Sequence, residues 1–164
     1  VDYGLALGFP ADSLIVALLI VQFVGFPAAV AFGRLGERWG PRTGIFIAIA
    51  AYVLIAIWGY FIQRPWEFYG LATAIGLVQG GIQSLSRSLY ARLIPAEQSG
   101  EFFGFFNMLG KFAAVLGPVL MGAVSLLSGN PRLSILSLLV LFAGGALLLA
   151  RVDEAEGRQL AGAL

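Results

Sequence analysis

Five stretches of the chain carry no charged residue, and short polar or proline-bearing segments separate them. Ser13 to Gly33 and Thr43 to Gln63 are 21 residues each, Phe68 to Ser86 is 19, Phe112 to Pro131 is 20 and Leu133 to Ala150 is 18. A helix that crosses the hydrocarbon core of a bilayer needs roughly 20 apolar residues. The pattern therefore predicts an all-α integral membrane protein with five transmembrane helices. They fall at about 12–33, 43–63, 66–88, 102–127 and 132–150, with a short tail at 151–164. The fourth starts before Lys111 because Phe102-Phe103-Gly104-Phe105-Phe106 is itself apolar. Phe102 to Leu127 is 26 residues, about 39 Å of helix, with a kink expected at Gly117-Pro118. The breaks suit helix ends: Asp12 as an N-cap after Pro10, then Gly40-Pro41, Arg64-Pro65-Trp66, Pro95 to Gly100, and Gly129-Asn130-Pro131. Connections this short make neighbouring helices antiparallel.

Arginine placement then gives an orientation. Arg34, Arg38, Arg42, Arg87, Arg92, Arg151 and Arg158 fall on one side, and only Arg64 and Arg132 on the other. By the positive-inside rule, 33–42, 87–101 and 151–164 are cytoplasmic. The chain's N-terminus is then outside and its C-terminus cytoplasmic. Composition excludes other classes. The 164 residues are 59% hydrophobic and 12% charged, with a mean hydropathy of +0.90. So apolar a chain of this size is not a soluble enzyme, a nucleic-acid binder or a disordered segment. Cysteine and histidine are absent, which removes the common metal ligands and the usual general base. No metal and no cofactor are expected. Arginine-dominated basic residues with abundant Ala and Gly hint at a bacterial source. The chain starts at Val1 without a basic signal region, so it is read as processed or as a piece of something longer.

Polar residues inside the apolar runs are the candidates for chemistry, because a membrane helix keeps such groups toward protein or water. In the third run, Ala72, Gly76, Gln79, Gly80, Gln83, Ser86 and Arg87 share one helical face. Gln79 and Gln83 either bind a polar solute or act as interhelical glue among small residues. Arg87 is either a cytoplasmic gate or an inner-interface anchor. Lys111 lies roughly 14 Å inside the fourth span, where it either binds a substrate carboxylate or snorkels to the interface. Asn107 shares its face, as do Ala114, Pro118, Gly122 and Ser125. Gln22, beside Gly25 and Pro27 in the first run, marks a helix break that either serves a ligand or packs. No Asp or Glu falls between Asp12 and Glu37, Arg42 and Arg64, Glu67 and Glu97, or Glu101 and Asp153, so a carboxylate relay would have to lie elsewhere.

The segment Gly33-Arg34-Leu35-Gly36-Glu37-Arg38-Trp39-Gly40-Pro41-Arg42 resembles the cytoplasmic loop between the second and third helices of each half of major facilitator superfamily transporters. Gly33, Leu35, Arg38, Gly40 and Arg42 match; Glu37 replaces the family Asp, and Pro41 replaces a basic residue. Together with Arg34, these residues are implied to form a conformational latch. Gln79 through Pro95, Gly100 through Phe106, Gly110 through Pro118, and Gln22 through Pro27 resemble one branch of that superfamily, the autophagy-related vacuolar amino-acid effluxers and their prokaryotic relatives. The resemblance implies that the five spans are helices 8–12 of a twelve-helix fold whose N-terminal half is absent.

The implied function is that of the C-terminal part of a secondary active transporter for a small polar solute, with amino acids as the solute class, in a bacterial inner membrane. Its partners would be the lipid bilayer, the small-molecule substrate and the missing N-terminal half; no nucleic acid is expected. The alternatives are a non-catalytic structural membrane subunit, or a transporter of a sugar, an organic acid or a lipid. An enzyme is not expected: a Ser-Lys dyad from Ser84, Ser86 or Ser88 with Lys111 is the sole arrangement on offer.

Overall fold

The computed structural model describes residues 2–163, with the side chains of all but Asp2, Leu35, Glu37, Pro65 and Ala163. Seven helices follow in order: α1 (Asp2–Ala6), α2 (Ala11–Trp39), α3 (Pro41–Phe61), α4 (Pro65–Ala91), α5 (Ser99–Ser128), α6 (Pro131–Ala150) and α7 (Glu154–Ala163). A 3-10 turn at Ala96–Gln98 precedes α5, and no strand occurs among the described residues. Four segments are long and apolar enough to cross a membrane: Ala11–Arg34, Pro41–Phe61, Ala96–Ser128 and Pro131–Ala150. The expected count was five. α4 has the length, at 27 residues, or about 40 Å. Its Gln, Ser and Arg side chains lower its hydropathy below that of its neighbours.

The helix ends follow from local chemistry. Asp12, expected as an N-cap, instead lies in the first turn of α2, which starts after Pro10 with no side-chain cap. The expected loop at 33–42 is almost entirely helical. α2 runs to Trp39, and Gly40 alone, at φ 81° and ψ 143°, turns the chain into α3. This backbone region is open to glycine and nearly closed to other residues. Pro41 then takes the first position of α3, where its missing N–H costs nothing. Glu67 in the first turn of α4 accepts hydrogen bonds from the backbone N–H groups of Gln63 (2.9 Å) and Arg64 (3.1 Å). α5 ends at Gly129 with φ 63°, and Asn130 caps α6 through Oδ1, accepting from Arg132 N–H at 2.9 Å. Pro27 and Pro118 lie within continuous helices, so the break expected near Gln22 does not occur.

α2 and α4 form the closest pair. Small residues at four-residue spacing, Ala72, Gly76 and Gly80, let the backbones approach. A Cβ built on Gly76 would stand 2.9 Å from the Val21 carbonyl oxygen, and one on Gly80 would meet Gly25 C at 2.9 Å and Ala29 N at 3.0 Å. α3 lies against α4 and α6, burying Gly44, Ala48, Ile55, Ala56 and Gly59. Leu85 of α4 is fully buried where Gly36 of α2 and Gly44 of α3 leave room for it. At the opposite end, the Arg132 guanidinium donates to the Tyr60 carbonyl at 2.6 Å, joining α6 to α3. α5 stands apart: it packs chiefly on α6 and contains no buried residue.

Candidate functional site

The separation of α5 from α4 opens the site. At their linked ends the two helices are joined by Tyr90. Its hydroxyl donates to the Phe102 carbonyl at 3.0 Å, and its ring packs on Phe103 and Phe106 at centroid distances of 5.5 and 4.7 Å. Above this aromatic joint a cleft of about 420–620 Å³ lies on either side of α4. The larger, about 620 Å³, runs between α4 and α5 and is lined by Gln83, Ser86, Arg87, Asn107 and Lys111, with Ile82, Phe106 and Ala114. The smaller, about 420 Å³, runs between α2 and α4 and is lined by Gln22, Gly25, Gln79, Gln83, Ser84 and Arg87. Gln83 and Arg87 belong to both walls. All six polar candidates in the spans thus come together, with Gln22 and Gln79 on one side and Asn107 and Lys111 on the other.

Helical rise places these groups on shared levels. Counted from the linked ends, Arg87 stands about 6 Å along α4, Gln83 about 12 Å and Gln79 about 18 Å. Asn107 stands about 12 Å along α5 and Lys111 about 18 Å. Lys111 is thirteenth in the 30-residue α5, which starts at Ser99. Within this chain its side chain is exposed and lines the cleft.

Small and polar residues of the α4 face have different surroundings. Gly76 and Gly80 pack against the α2 backbone, while Gln79, Gln83 and Arg87 line open space. The face of Lys111 continues as expected: Pro118, Gly122 and Ser125 line a further cleft of about 390 Å³ with Tyr3 and Ser134.

The segment at 33–42 has its own geometry. Arg34 and Arg38 are exposed on the last turns of α2. Gly33 and Gly36 lie on the same helix, Gly36 against Leu85. Arg42 Nη2 donates to the Ala150 carbonyl at 2.8 Å, so a cation closes the negative C-terminal end of α6. The side chains of Leu35 and Glu37, both expected in the latch, lie outside the described ones. Nothing in the sequence signalled the Arg42 contact, which spans 108 positions. The same holds for α7. Asp153 caps it through Oδ1, accepting from Ala155 N–H (2.9 Å) and Glu156 N–H (3.1 Å). Glu154 meets Arg158 on α7 and Arg92 beyond α4 at 3.9 Å.

The family profile described as "Vacuole effluxer Atg22 like" matches residues 5–162. The chain belongs to this Atg22-like family. Among its relatives is a Bacillus subtilis (strain 168) protein named as an uncharacterized MFS-type transporter, YxiO. It is 38% identical over 153 residues, covering 93% of this chain and 36% of the relative. Autophagy-related protein 22 of Gibberella zeae is 32% identical over 163 residues, covering 87% of this chain and 25% of the relative. The protein of the same name from Yarrowia lipolytica is 31% identical over 159 residues, covering 92% and 27%. The chain therefore spans about a quarter to a third of the length of the curated relatives it matches. No solved structure matches it. Four of the chain's helical segments meet the length and apolarity of membrane spans, as expected of an integral membrane protein.

Proposed function

We propose that the chain is the C-terminal part of a secondary active transporter that moves a small polar solute by alternating access, with amino acids as the solute class. The observation that carries this reading is the convergence of Gln22, Gln79, Gln83, Arg87, Asn107 and Lys111 on two clefts that share a wall. A structural subunit has no use for amides and cations aimed into open space between its helices. A solute path needs them, since a polar solute leaving water must recover its hydrogen bonds. α4 acts as a fifth span whose polar face is sheltered by α2 and by the solute path. The five spans correspond to helices 8–12 of the twelve-helix fold, the N-terminal half supplies the opposite wall, and the clefts meet it across α5.

The asymmetry of arginines supports an outside N-terminus and a cytoplasmic C-terminus for this chain, and the Bacillus relative supports a bacterial inner membrane. Arg87, nearest the cytoplasmic ends of α4 and α5, is the gate. The residues Gly33, Arg34, Leu35, Glu37, Arg38, Gly40 and Arg42 form the latch at the end of α2.

The test is uptake of a labelled amino-acid panel by proteoliposomes holding the complete transporter. We expect measurable flux, and a loss of at least about tenfold in Lys111→Gln with membrane insertion unchanged, as removal of one charged hydrogen-bond partner implies. Full flux in the variant contradicts the placement of Lys111 in the solute path. No flux of any amino acid removes the solute class.

A further inference from the structure

We propose that the cleft between α4 and α5 is an anion site that grips a carboxylate through Lys111 and Arg87, and that solutes lacking a negative group are excluded from it. The inference rests on the transporter reading and goes further by stating which end of the solute binds where. Lys111 and Arg87 face the cleft from opposite walls. Among the described side chains, no Asp or Glu lines this cleft or the one on the other side of α4. Among the described residues, ion pairs involve Arg92, Arg158 and Glu154, and neither cation of the cleft. The acidic residues nearest in sequence, Glu97 and Glu101, belong to the turn between α4 and α5 and to the first turn of α5. Glu101 is ten residues before Lys111, about 15 Å along the helix.

Two like charges across a gap walled by Ile82, Phe106 and Ala114 repel one another and gain nothing from the apolar surface. A carboxylate entering between them satisfies both. The levels fit: Arg87 and Lys111 are about 12 Å apart along the helix axes, and Gln83 and Asn107 stand between them. Long side chains from above and below therefore converge on the amide level.

The rest of an amino acid also finds partners. Gln83 and Asn107 line the same cleft, and their amide oxygens serve a solute ammonium without a carboxylate. Neutral acceptors bind an ammonium more weakly than a paired charge does. The carboxylate is thus the dominant handle, and an amine alone meets two cations.

Isothermal titration of the complete, detergent-solubilised transporter with phenylalanine, 3-phenylpropanoate and 2-phenylethylamine tests this. The acid should bind within about tenfold of the amino acid, and the amine at least about a hundredfold more weakly. Lys111→Gln should weaken the acid about tenfold or more, and Lys111→Arg should restore most of it. Binding of the acid with no binding of phenylalanine supports the anion site while counting against amino acids as the solute. Binding of phenylalanine and the amine without the acid does the reverse and overturns the proposal. Failure of the acid to bind, or equal acid binding in Lys111→Gln, overturns it as well.

Discussion

Replacing Gly80 with alanine should destabilise the protein, although alanine is the better helix former by about 1 kcal/mol. The new methyl would meet not a yielding side chain but the α2 backbone, with Gly25 C at 2.9 Å and Ala29 N at 3.0 Å. Carbon atoms in contact prefer about 3.5–4.0 Å, so the two helices must part by roughly 1 Å at this level. A gap of that size forfeits a quarter to a half of each neighbouring dispersion contact. The pair formed by Gly76 and Val21, one turn away, opens with it. Overpacking of this kind costs about 1–3 kcal/mol. A contact with backbone on both sides belongs at the upper end, which leaves a net loss of about 1–2 kcal/mol after the helix-propensity gain. Gly144 of α6 is the control: a Cβ there meets nothing within 4 Å, so Gly144→Ala should be neutral or stabilising by up to about 1 kcal/mol. Thermal unfolding of the complete transporter in one detergent, followed by tryptophan fluorescence, reads the difference in sign. A midpoint for Gly80→Ala equal to or above that of Gly144→Ala would refute the close α2–α4 approach.

Gly40→Ala should cost about 1–3 kcal/mol, because the residue holds φ 81° and ψ 143°; the same unfolding assay should place it well below wild type, and an unchanged midpoint would mean that α2 and α3 are not joined by this one-residue turn. Glu154→Gln should change stability by less than about 1 kcal/mol, since its contact with Arg92 is long, at 3.9 Å, and lies at the surface. A larger loss, measured at low and high salt, would show that α7 is held by more than its cap and its packing.

Much of the fold was legible because charge-free runs and proline or glycine breaks report membrane helices directly. The fourth span shows this: Phe102 to Leu127 reads as one helix across Lys111 because the residues on both sides of it are apolar, and α5 covers it with three residues to spare at its start. What the runs did not show were features set by distant contacts. The segment at 33–42 reads as a loop because it is rich in glycine and arginine. Gly36 is instead a contact surface for Leu85, and helix continues until Gly40, where a positive φ is required. Pro27 reads as a break, yet the helix continues through it. Arg42 reads as a membrane-surface charge, and the Ala150 carbonyl it meets is 108 residues away. The site was half legible for the same reason. A polar face on one helix is visible at 100° per residue, but which part packs and which part stays open depends on where α2 lies. Gly76 and Gly80 face it directly, and Gln79 and Gln83 flank it.

The central claim is that the polar faces of α2, α4 and α5 border a water-accessible solute path. It is tested most directly by single cysteines in the complete transporter, after removal of any cysteine native to the rest of it; this chain has none. Gln83→Cys and Asn107→Cys, both in the α4–α5 cleft, should react with a water-soluble, membrane-impermeant maleimide and should be protected by the transported solute. Val140→Cys, on an exposed apolar face of α6, should not react. Labelling at positions 83 and 107 no faster than at 140, or indifferent to solute, would contradict the account.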